Sequence, residues 1–137
     1  MKAALESLVP QLDARIFVLL QYGESERATN ELERGPKLAI FSSRDHGGLL
    51  QITGQPRKAV QYAIGNPLTA TRMRQHRLPA ALYAPLRVVL YENEAGRATL
   101  ENDRPSSLVG QFGDERVTAV GRELDASLES VLDKAAG

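Results

Sequence analysis

The stretch Lys58-Ala59-Val60-Gln61-Tyr62-Ala63-Ile64-Gly65-Asn66-Pro67 decides the fold class. Val60, Tyr62 and Ile64 alternate with Ala59, Gln61 and Ala63, the period of two that a strand buried on one face requires. The alternation stops at Gly65, and Asn66-Pro67 follows. Asparagine is a good N-cap, and proline suits the first helical position, where its missing N–H costs nothing. The spacing therefore predicts a half-buried strand that turns directly into a helix running from Pro67 to about His76. Such a pair belongs to a sheet with helices on one side.

The flanks extend this pattern. Downstream, Leu78-Pro79 breaks the helix, and Pro85 to Tyr91 is a second alternating strand with Leu86, Val88 and Leu90 on one face. Glu92-Asn93-Glu94-Ala95-Gly96 reads as a hairpin loop, with Gly96 placed for positive φ, and Arg97 to Asn102 returns as a strand. A helical turn is predicted after Pro105. A final helix capped by Asp114 should bury Val117, Val120, Leu124, Leu128 and Val131 along one stripe. Gly121 lies within it at a cost of about 1 kcal/mol against alanine, unless close packing calls for it.

Upstream, Lys37 to Ser43 reads as a strand, followed by a glycine-rich loop with a turn of helix from Arg44 to Pro56. Ser25 to Arg34 is a polar helix stopped by Gly35-Pro36. Arg15 to Tyr22, Arg-Ile-Phe-Val-Leu-Leu-Gln-Tyr, is rich in β-formers and is predicted to be a strand. Lys2 to Leu12 is predicted to be a short N-terminal helix that Pro10 ends or kinks. Strands joined by tight turns, with helices gathered on one face, describe an α+β layer in a single domain spanning 1–137.

Composition bounds the function. The 137 residues suit one domain, and 42% apolar with 25% charged residues is ordinary for a globular protein. The absence of cysteine excludes disulfides and thiolate chemistry and fits a reducing compartment. No apolar run approaches the ~20 residues of a membrane helix, and the N-terminus lacks a signal-peptide pattern; the expectation is a cytoplasmic protein with no membrane partner. Net charge is zero but uneven: −1 over 1–45, +6 over 46–91, −5 over 92–137. The middle stretch carries Arg57, Lys58, Arg72, Arg74, Arg77 and Arg87 and no carboxylate. It either meets an anionic partner or matches an acidic surface on this chain or a second copy. A near-neutral pI and 5% aromatic content argue against nucleic acid.

Several of these pieces, taken in order, resemble the bacterial family catalogued as domain of unknown function 302. They are Asp45-His46, Gly65-Asn66-Pro67, Thr71 and Met73, Ala84-Pro85-Leu86-Arg87, and Tyr91-Glu92-Asn93-Glu94-Ala95-Gly96. The resemblance covers roughly Leu38 to Val109. It implies a curved antiparallel sheet of β-α-β(4)-α arrangement, like one half of the TATA-box-binding-protein fold, and a homodimer. It implies no activity, and fold analogy to a DNA-binding protein is no warrant for DNA binding.

The candidate site residues are His46, Asn66, Arg72, Arg87 and Tyr91. His46, in Asp45-His46-Gly47-Gly48, is either a ligand contact or a loop histidine holding a turn. Asn66 opens a helix whose free N–H groups and following Arg72 suit an anion, or it is simply a cap before a solvated basic face. Arg87 and Tyr91 share the sheet face opposite Leu86, as a cleft, a dimer contact or exposed strand residues. His76 is the only other imidazole, so no metal site is assigned, and Ser42-Ser43-Arg44-Asp45-His46 lacks a nucleophile elbow, so no catalytic set is assigned. Cofactors stay unassigned. The leading expectation is a homodimeric ligand-binding or interaction domain for a small anionic ligand. The alternatives are a haem or apolar-cofactor binder using His46, and a small enzyme of unknown reaction.

Overall fold

The computed structural model describes residues 1–137. Four strands form one antiparallel meander in the order β1-β2-β3-β4: β1 Ala39–Asp45, β2 Ala59–Gly65, β3 Leu86–Glu92 and β4 Ala98–Asn102. Cross-strand register places Val60, Leu90 and Leu100 in one row and Tyr62 and Val88 in the next, on a single face. That face carries the core. The longest helix, α7 (Glu115–Ala136), lays Val117, Val120, Leu124, Leu128 and Leu132 into it, joined by Leu5 of α1 (Lys2–Leu8), Met73 of α5 (Pro67–Arg74) and Val109 of α6 (Pro105–Val109). Apart from Tyr62, no residue with a polar side-chain group is buried. The chain is α+β, as the alternation in β2 predicts.

Gly121 meets its close-packing condition. A Cβ there would lie 2.6 Å from Val109 Cγ2 and 3.0 Å from Ser106 Cα. The missing side chain lets α6 and α7 touch backbone to backbone. Asp125, one turn on, accepts from Ser106 N–H at 2.9 Å and from the Ser106 hydroxyl, pinning the crossing.

Arg15 to Tyr22 is a correction. It forms a helix, α2 (Arg15–Gln21), not a strand. Two local causes are visible. The carboxylate of Asp13 accepts the Arg15 N–H at 3.0 Å, which starts a turn. The free edge of β1, which a leading strand would need, is already occupied: Ile40 N–H donates to Pro10 O and Leu12 N–H donates to Ile40 O, both at 2.8 Å. The β-propensity of Ile16, Phe17 and Val18 depends on having a sheet to join. The sheet therefore has four strands, without the leading strand implied by a β-α-β(4)-α order. The first helix stops at Leu8, the early end that Pro10 predicts, because Val9 precedes the proline and takes an extended conformation. Next, α3 (Ser25–Arg34) pairs with α2 as a helical hairpin, closing at Gly35-Pro36.

The opposite sheet face stays open. Register puts Arg44, Gln61, Val89 and Glu101 in one row, Ala63 and Arg87 on one side of it, and Ala59, Tyr91 and Thr99 on the other.

Candidate functional site

The sequence Asp45-His46-Gly47-Gly48 builds a platform at one end of that open face. Asp45 caps α4 (His46–Leu49), accepting the Gly48 N–H at 2.9 Å. Gly47 presses against the chain entering β2, where a Cβ would fall 2.2 Å from Arg57 O and 2.8 Å from Ala59 N. Only glycine permits that approach. The result is that His46 stands over the sheet, with Nε2 2.8 Å from Gln61 Oε1. The other ring nitrogen, Nδ1, has no hydrogen-bond partner in the chain.

His46 and Gln61 form one wall of a depression of about 460 Å³, with Arg87, Val89, Glu101 and Asp103 lining the rest. Arg87 Nη2 is 3.5 Å from Asp103 Oδ2, a long contact between exposed groups that leaves most guanidinium donors free. Tyr91, four residues further along β3, donates its hydroxyl to Glu101 Oε1 at 2.7 Å. That bond holds the phenol protonated, so its pKa lies above the usual tyrosine value. The depression thus carries one cation, Arg87, facing two carboxylates.

Of the five candidate residues, the fold brings His46 and Arg87 into this depression and places Tyr91 beside it. The other two lie elsewhere. Asn66 is a cap: its Oδ1 accepts from Leu68 and Thr69 N–H at 2.9 and 3.3 Å, and its Nδ2 donates to Lys37 O at 3.0 Å. Arg72 reaches across to α7, giving a bidentate pair with Glu123 at 2.7 and 3.1 Å that raises the pKa of the guanidinium and lowers that of the carboxylate. Gln61 and Glu101 are the residues that inspection of the sequence passes over. Gln61 had a signal: it is the one polar side chain on the open face of β2, between Ala59 and Ala63.

Nor does the Ser42-to-His46 run converge as a catalytic set, because Asp45 is spent on Gly48 and His46 on Gln61. His76 follows α5, where its charge is felt by Asp114 at the start of α7. The depression's polar walls, and an imidazole whose Nε2 is engaged, do not fit the broad apolar slot that a haem needs. No helix is long and apolar enough to cross a membrane.

The model of the family described as "Domain of unknown function DUF302" matches residues 18–135. The chain belongs to that family. Membership extends well beyond Leu38–Val109, into α2 at one end and almost through α7 at the other. A crystal structure of an uncharacterised conserved DUF302 protein from Bacillus stearothermophilus is similar, with a TM-score of 0.66 over 80% of this chain and 83% of that one. Identity is 20%, so what the two share is the DUF302 fold. No curated protein matches the chain.

Proposed function

We propose that this DUF302 chain is a homodimeric domain that binds a small polar ligand on the open face of its sheet. The observation that carries the reading is the convergence of His46 and Arg87, from separate elements, on one depression where each keeps unused hydrogen-bonding capacity. An anionic group fits against Arg87, replacing its loose contact with Asp103. Glu101 and Asp103 oppose a purely anionic ligand and favour one that also brings a donor or a positive charge. The substrate class is therefore a small zwitterion or hydroxy acid rather than a phosphate-rich ligand.

Titration calorimetry with amino acids, hydroxy acids and their neutral amides tests the site. Arg87→Ala and His46→Ala should each abolish binding, while Arg72→Ala leaves it intact. Unchanged binding in both of the first two variants defeats the reading.

The dimer half rests on α2, whose Phe17, Val18 and Leu20 are 54%, 49% and 48% exposed, followed by Tyr22 at 77%. A helix apolar on every side is ordinarily buried. Its flank, α3, presents Glu26, Arg27, Glu33 and Arg34, a rim of both signs that a two-fold copy can match. Sedimentation should show a dimer that Leu20→Glu converts to monomer; a monomeric parent protein defeats this half alone.

A further inference from the structure

A second cavity, sharing no residue with the sheet-face depression, lies beneath the α2–α3 hairpin. It measures about 330 Å³, which reaches the ~300–1,000 Å³ range of small-molecule pockets. Its apolar walls are Leu12, Ile16, Leu32, Pro36, Ala39 and Pro67, and Gln11, Asp13, Glu31, Arg34 and Asn66 also line it.

Of the polar groups bordering it, those of Asn66, Asp13 and Pro10 are already used, while the side chains of Gln11, Glu31 and Arg34 make no hydrogen bond or ion pair within the chain. Asn66 makes its three hydrogen bonds to Leu68, Thr69 and Lys37, and Asp13 is held by Arg15 through its backbone N–H and its guanidinium. Pro10 O takes the Ile40 N–H. No buried side-chain polar atom is left without a partner. At the mouth, Glu31 and Arg34 carry opposite charges, and neither has an ion-pair partner within 4.0 Å. Their charges cancel and select neither sign.

The roof is also weakly fastened. In the hairpin from Arg15 to Arg34, only Ile16 and Ala28 are buried, and α2 packs chiefly on α3. Segments with few buried apolar contacts open at a small fraction of the global unfolding free energy, which provides a way in while the chain is monomeric.

We infer that the space under the α2–α3 hairpin is a binding site for a neutral apolar small molecule, an aromatic ring or a short alkyl chain. At interior packing density it takes roughly ten carbon atoms. This does not depend on the sheet-face site. Indole is the probe, measured on the full chain by saturation-transfer NMR and thermal shift. Wild type should bind indole and melt higher in its presence. Ala39→Phe, which fills the space from β1, should weaken binding by about tenfold or more. Ile16→Trp, which fills it from the roof, should do the same and serves if Ala39→Phe fails to fold by circular dichroism. His46→Ala should leave binding unchanged. The proposal is overturned if wild type does not bind indole, if the folded filled variants bind it as wild type does, or if His46→Ala removes the signal, which would move the ligand to the sheet face.

Discussion

Replacing Gly121 by alanine sets two well-understood effects against each other. Alanine is the better helix former by about 1 kcal/mol in a helix interior, so in an exposed stretch of α7 the change would stabilise. Here the new Cβ would meet Val109 Cγ2 at 2.6 Å and Ser106 Cα at 3.0 Å. Val109 is β-branched and 1% exposed, so its side chain has little room to turn. Ser106 is main chain, held by two hydrogen bonds to Asp125. The helices must separate, and overpacking of this kind costs about 1–3 kcal/mol. Stretching the Ser106–Asp125 bonds adds to this, since each hydrogen bond to a charged group contributes about 1.5–3 kcal/mol when intact. After subtracting the helix-propensity gain, the net effect is a destabilisation of about 1–3 kcal/mol. For a domain of this size that lowers Tm by roughly 3–10 °C. Urea unfolding followed by far-ultraviolet circular dichroism measures it, with the slope m unchanged. Val109→Ala in the same background should recover part of the loss, because the two changes share one contact and are coupled by about 0.5–3 kcal/mol. A stabilised Gly121→Ala protein, or strict additivity with Val109→Ala, would refute the reasoning.

Other consequences follow from single side chains. Tyr62, fully buried, donates its hydroxyl to Glu6 Oε1 at 2.9 Å; Tyr62→Phe should cost about 1 kcal/mol without disturbing the core. Burial, then the bond to Glu6, raises the phenol's pKa. The stabilisation this brings is complete below the unfolded value near 10 and is lost as pH rises toward the folded value. Alkaline unfolding of the Tyr62→Phe variant should therefore lack that component, as read by circular dichroism across pH 9–12. Asp114 caps α7, and its bond to the Arg116 side chain, helped by the Arg116 N–H, lowers its pKa to about 2. Its contribution is full above the unfolded value near 4 and disappears as pH falls through about 2; Asp114→Asn, which can still cap, should flatten the acid limb of the stability profile between those values. Arg72→Ala breaks an exposed pair with Glu123 and should change stability by no more than about 1 kcal/mol, a change that disappears in high salt.

What could be read from the chain followed how local each cause is. The strand β2, the cap at Asn66, the hairpin at Gly96 with φ of 75° and the stripe of α7 each depend on neighbours within a few residues. They appear where periodicity and turn chemistry put them. α2 failed for the opposite reason. Its composition suits a strand, but the strand needed an edge, and Pro10–Leu12 had taken it. The site divides along the same line. Arg87 and Tyr91 share a face by counting twos along β3, and Gln61 could have been added by the same count. That His46 reaches Gln61 depends on Gly47 approaching Arg57, a contact that no pattern within the loop discloses.

The uneven charge gains its meaning from how its arginines are spent. Arg72 is satisfied by Glu123 in a bidentate pair, Arg57 donates to Glu92 O at 2.8 Å, and Arg77 sits 5.1 Å above the Phe112 ring. Three cations of the carboxylate-free stretch are thus engaged by the last third of the same chain, Arg72 by a carboxylate, Arg57 by a backbone carbonyl and Arg77 by an aromatic ring. Arg87 differs. Its one partner in that third, Asp103, is 3.5 Å away at a single nitrogen, and both groups are more than half exposed. A pair so loose and so wet contributes little to stability, so exchanging Asp103 for another carboxylate costs little. Among the four, Arg87 is the cation the fold has not committed, and it is also the one that stands in the depression with His46.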